Sequence, residues 1–121
     1  MLKESSSSVK ASFRDKTEVI AKLKTAIQNT AHKREELIGA ILFGSFAADR
    51  YSIDSDLDLL LVVKHAKQPP PFRSADYHGL LSREIDMPMD ILVWTVDEVE
   101  MGRQKGHGFL CHIERTGIPL L

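Results

Sequence analysis

Residues 44–63 read GSFAADRYSIDSDLDLLLVV, and the fold turns on how that stretch is parsed. It closes on five consecutive aliphatic residues, Leu59 to Val63, which predicts a strand over 57–63 buried on both faces. Yet the run opens among carboxylates: Asp54, Asp56 and Asp58. Residues i and i+2 of a strand share a face, so Asp56 and Asp58 project side by side from its start. Asp54 reads as a solvated residue of a turn over 51–55 and is left outside the pair. A calcium loop of the EF-hand kind also begins DxDxD, but it needs Gly at the sixth position and Glu at the twelfth. Leu59 and His65 stand there, which excludes that reading.

Upstream, GAILFG (39–44) is a short apolar run closed by glycine and predicts a second buried strand, with a short helix over 45–50. Before it, Val19, Ile20, Leu23, Ile27, Ala31 and then Leu37 or Ile38 recur at three- and four-residue steps. That spacing predicts an amphipathic helix over about 14–37, with Lys22, Lys24 and Lys33 on a solvated face. Downstream, KHAKQPPPF is a loop, because Pro69 to Pro71 fit neither a helix interior nor a ladder. A helix over about 74–84 follows, then a third strand, MPMDILVWT (87–95), in which Asp90 interrupts the apolar run and Trp94 is expected in the core. Thr95 and Glu98 have capping-box spacing and open a helix running to about 105. A closing helix over 107–116 carries Phe109, Leu110 and Ile113 on one face, with Gly117 as its C-cap and Pro119 beyond. Together these elements predict a small α/β (α+β) domain, a central mixed sheet flanked by helices.

A chain of 121 residues suits one compact domain that buries on the order of two-thirds of its unfolded surface. The Ser-rich residues 1–12 read as a flexible N-terminus, leaving 13–121 as the folded unit. Charge is unevenly spread: +3 over residues 1–38, −3 over 39–63 and −1 over 64–121, for −1 in all. No basic stripe suggests direct nucleic-acid binding, since phosphate contacts need clustered Lys and Arg. Cys111 is the only cysteine, so neither a disulfide framework nor a thiolate zinc site is available. No apolar run approaches a membrane span or a signal peptide, and a reducing cytoplasm is the expected compartment. His107 and His112 lie five apart, unsuited to one helix face, and read as surface residues; Cys111 between them reads as a small packed residue.

The acidic block carries the chemistry. Asp90 is the only acid inside the third strand, and if that strand pairs with 57–63, it meets Asp56 and Asp58. Two carboxylates about 5 Å apart at an effective dielectric near 20 repel by roughly 3 kcal/mol, so a cation is expected to offset them. Oxygen ligands with room for water suit Mg²⁺ or Mn²⁺, usually shared with substrate phosphates. Gly44 and Ser45 supply the matching half, because a glycine ending a strand lets backbone approach a ligand and the next helix can aim N–H groups at an anion. Triphosphate on one side and metal on the other is the arrangement of nucleotidyl transfer.

At these residues the chain resembles the DNA polymerase β-type nucleotidyltransferase superfamily. The resemblance rests on Gly44 and Ser45, on SDLD (55–58) downstream, and on a later lone Asp in an apolar strand, MDILVW. It covers roughly residues 39–121, including the closing helix and a Gly followed by a short strand, and the length is most similar to the minimal nucleotidyltransferases that act as antitoxins to HEPN-domain toxins. The resemblance implies that Asp56, Asp58 and Asp90 bind the metals, that Asp90 also helps deprotonate the acceptor hydroxyl, and that Gly44 and Ser45 hold the β and γ phosphates. It further implies ATP as the nucleotide, an adenylyltransferase activity, and a HEPN toxin tyrosine as acceptor, homo-oligomers being compatible with it. A catalytically weak antitoxin acting by occlusion, and a small-molecule (antibiotic) nucleotidyltransferase, are the other readings. The chain departs from the family pattern in one place. Arg-Gly usually stands four and five positions after the first Gly, whereas here Ala48 and Asp49 do, an expected weakening of nucleotide binding, with Arg50 as the neighbouring cation.

Overall fold

The computed structural model describes residues 15–50 and 55–121. The Ser-rich start and the turn containing Asp54 lie outside the described residues. Helix α1, Lys16–Lys33, begins at Asp15, whose side chain accepts from the Thr17 N–H at 2.9 Å, and it buries Val19, Leu23, Ala26 and Ile27. It stops four residues short of the expected 37. Arg34 leaves the helix with extended backbone, its N–H still closing on the Thr30 carbonyl, and Leu37 belongs to the first strand, β1, Leu37–Phe43. The apolar spacing that extended the helix to Leu37 thus counted a strand residue that pairs with Val63.

After β1 come a single helical turn, α2 (Gly44–Ala47), and then β2, Leu57–Val63. Leu57, Leu59, Leu60, Leu61 and Val63 are buried, covering both faces of β2 as the aliphatic run requires. The proline segment forms a short 3₁₀ turn, Pro70–Phe72, before α3, Ser74–Leu81. Strand β3 is Met89–Thr95, α4 is Val96–Gln104, α5 is Gly108–Thr116, and β4 is the two-residue Ile118–Pro119. The expected capping box is present: Thr95 Oγ1 accepts from the Glu98 N–H, and Glu98 accepts from the Thr95 N–H. Gly117 closes α5 through its N–H to the Ile113 carbonyl at 2.7 Å. Its backbone is extended, φ −78°, so packing accounts for this glycine, since a Cβ would lie 2.4 Å from Ile41 Cγ2.

The sheet is mixed, in the order β3-β2-β1-β4. Strand β1 is antiparallel to β2 and to β4, while β2 and β3 run parallel. One core joins α1 and α3 to one face of the sheet through Leu23, Ile27, Leu59, Leu61, Tyr77 and Leu81. A smaller one sets α4 and α5 against the other face around Leu60, Val99, Leu110 and Ile113. Trp94 is half-buried beside this second core and does not lie inside it. Cys111, expected to be packed, is exposed. His107 is exposed and caps α5, its Nδ1 accepting from the Leu110 N–H at 3.4 Å.

Candidate active site

Asp58 is the second residue of β2 and has strand neighbours on both sides: Phe43 in β1 and Asp90 in β3. Because β2 and β3 are parallel, registered residues face the same way, so Asp58 and Asp90 project side by side from the amino ends of their strands. This face carries Leu60 and Leu92 further along and is covered there by α4 and α5. Asp56 precedes the ladder by one residue. Asp58 is half-buried, whereas Asp56 and Asp90 are exposed. Burial, then the charge of Asp90, then that of Asp56 push the Asp58 carboxyl above the usual aspartate range. The carboxylates are close enough to interact, as the i, i+2 spacing and the strand pairing require.

Gly44 follows Phe43, the strand partner of Asp58, and turns the chain with φ +78°. A Cβ there would lie 2.0 Å from Asp58 Oδ2 and 2.9 Å from its Cγ. Only a residue without a side chain fits, and the φ itself favours glycine. As a result α2 starts directly against the Asp58 carboxylate. The turn opens without a side-chain cap. Ser45 is half-buried, its Oγ 3.5 Å from Ser55 Oγ.

The two residues that depart from the family pattern close α2. Ala48 is its C-cap, and Asp49 has φ +62°, the one positive φ among described residues other than glycine. Asp49 thus takes the left-handed backbone that a glycine would supply. Aspartate tolerates that region better than most residues. Its charge is also met: Lys16 Nζ lies 2.7 Å from Asp49 Oδ1 and 2.9 Å from the Ala47 carbonyl oxygen. Nothing in the sequence marks Lys16, a polar residue of α1 more than thirty positions away, as the partner of this turn.

Among the described residues, no three His, Cys, Asp or Glu side chains stand close enough to hold a metal ion by themselves. This donor set fits a hard divalent cation that takes one or two carboxylates and completes its shell with substrate oxygens and water. A separate cavity of about 550 Å³ opens near the carboxyl ends of β2 and β3, lined in part by Glu36, Val63, His65, Phe72, Tyr77 and Val93. Five residues of strand, about 17 Å, separate Val63 from Asp58, so this cavity is not part of the acidic site. No helix among the described residues is long and apolar enough to cross a membrane.

No curated protein matches the chain in sequence. A solved structure from Sulfolobus solfataricus, described as that of a candidate nucleotidyltransferase, superposes with a TM-score of 0.54 at 25% identity, covering 76% of this chain and 80% of the other. The family model for the polymerase β nucleotidyltransferase domain matches residues 25–120. That span takes in the second half of α1, all four strands, Gly44, Asp58 and Asp90, and the chain belongs to the polymerase β nucleotidyltransferase family.

Proposed function

We propose that the protein transfers a nucleoside monophosphate, AMP from ATP, to a hydroxyl group. The observation that carries this reading is the registration of Asp58 with Asp90 across two parallel strands, with Gly44 packed against Asp58 where no side chain fits. Asp56, Asp58 and Asp90 would hold Mg²⁺ or Mn²⁺, which when bound would neutralise charge on the triphosphate and on the leaving pyrophosphate. Gly44 allows the chain to approach the β and γ phosphates, and Ser45 would contribute N–H and hydroxyl donors to them. Asp90, exposed at the amino end of β3, would take the proton as the acceptor oxygen attacks the α phosphorus. The bond from that phosphorus to the β-bridging oxygen then breaks, and pyrophosphate departs.

The acceptor in this proposal is a tyrosine of a HEPN-domain toxin, whose adenylylation silences it. Resemblance to the minimal nucleotidyltransferases supports that assignment. Incubating the protein with a cognate HEPN partner, Mg²⁺ and ATP should raise the partner's mass by whole AMP units, and Asp56→Asn should abolish the gain. An unchanged mass under conditions where the complex forms would remove this acceptor. Protection of cells that survives Asp56→Asn would make occlusion the antitoxin mechanism instead.

A further inference from the structure

Lys16 reaches across 33 residues of sequence to the end of α2, where it meets both the Ala47 carbonyl and the Asp49 carboxylate. Asp49 is 71% exposed at its side chain, while that of Lys16 is 24% exposed. The ammonium is therefore held against the turn even where the carboxylate faces water. Three backbone bonds close the same turn: the Ala48 N–H to the Gly44 carbonyl at 3.1 Å, the Asp49 N–H to Phe46 at 3.3 Å, and the Arg50 N–H to Ser45 at 2.8 Å. All three acceptors lie in α2, whose first residue is packed against Asp58. A single helical turn has few internal bonds to hold its own geometry. A left-handed residue at its end persists only where surrounding contacts fix it.

We infer that Lys16 and Asp49 form a latch that sets the geometry of residues 44–50, making Lys16 a positioning residue for the triphosphate held at Gly44 and Ser45. The inference rests on the nucleotidyl-transfer reading for its ligand, but not for the latch itself. The ammonium stabilises two acceptors that would otherwise diverge, the carbonyl that ends the turn and the carboxylate on its left-handed residue. In doing so it ties the phosphate-side segment to α1, which is anchored in the main core.

The test compares wild type with Lys16→Met, Lys16→Arg, Asp49→Gly and the Lys16→Met/Asp49→Gly double variant. Amide hydrogen exchange at residues 48–50 needs no nucleotide, and Mg²⁺-ATP affinity is read by calorimetry. Lys16→Met should speed exchange at 48–50 by about threefold to tenfold, the range expected for a lost surface pair and carbonyl bond, and weaken Mg²⁺-ATP by a similar factor. Lys16→Arg should restore both. In the Asp49→Gly background, where glycine holds the left-handed backbone without the carboxylate, Lys16→Met should have a smaller effect. Unchanged exchange in Lys16→Met would overturn the latch, and faster exchange with unaltered affinity would overturn its positioning role. A wild-type protein that binds no Mg²⁺-ATP would remove the nucleotidyl-transfer reading, while the exchange arm still decides the latch.

Discussion

At Asp58, burial and the charges of Asp90 and Asp56 act in one direction, raising the carboxyl above the ordinary aspartate value. Relative to the unfolded chain, the fold therefore holds the Asp58 proton more tightly. Its stabilising contribution is present below the usual aspartate pKa and is lost as pH rises through the raised one. At neutral pH and without metal, Asp58→Asn should raise the melting temperature by about 2–5 °C. The gap should shrink as the pH falls below the raised value, where wild-type Asp58 is protonated too. A thermal melt series in EDTA across pH 4–8 (roughly the carboxylate range) checks this, and an unchanged or lower Tm for the variant at pH 7 would contradict it. Strand periodicity in the sequence marks Asp58 and Asp90 as carboxylates within strands, but their side-by-side placement depends on the parallel β2–β3 register, which periodicity does not give. Gly44 was legible as a point of close approach, but its nearest neighbour is Asp58, which only the β1–β2 register reveals. Lys16 was not legible: a lysine on a solvated helix face carries no mark of the turn it meets.

Among the elements, β2 ran over the residues that its aliphatic sequence dictates, and the capping box at Thr95 placed the start of α4. The end of α1 departs from the helical spacing, because Leu37 continues that spacing while its backbone pairs with Val63. Periodicity cannot separate those roles where a helix and a buried strand are joined by three residues. The start of α4 also gained a partner that sequence does not show. Arg73, only 8% exposed at its side chain, donates to both Glu98 oxygens and to the Val93 and Gln68 carbonyls. The hydrogen bond from Arg73 holds the Glu98 carboxyl below its ordinary range, so this contribution is present above the usual glutamate pKa and is lost as pH falls through the lowered one. Glu98→Ala removes half of the capping box and leaves a nearly buried guanidinium without its counter-ion. It should cost about 2 kcal/mol at pH 7 and proportionately less in acid, as measured by urea unfolding; a loss that is the same at pH 3 and pH 7 would contradict the assignment.

For the molecule as a whole, apolar runs and breakers conveyed a sheet flanked by helices, but not the order β3-β2-β1-β4 or the parallel pairing of β2 with β3. Those follow from non-local packing: α1 and α3 claim one face and α4 and α5 the other, and β4 closes the edge of β1 with two residues. The pairing decides whether the two carboxylates meet, since an antiparallel β3 would have carried Asp90 to the opposite end from Asp58. If these carboxylates and the Gly44 turn form one site for a metal-bound triphosphate, as proposed, metal and carboxylate should both be needed for binding. The experiment is calorimetric titration of ATP into wild type and Asp58→Asn, each once in Mg²⁺ and once in EDTA. The expected result is binding of roughly micromolar strength, about −8 kcal/mol, that requires both the metal and Asp58. Binding that survives Asp58→Asn or EDTA, or no binding by a folded wild-type protein, would contradict it.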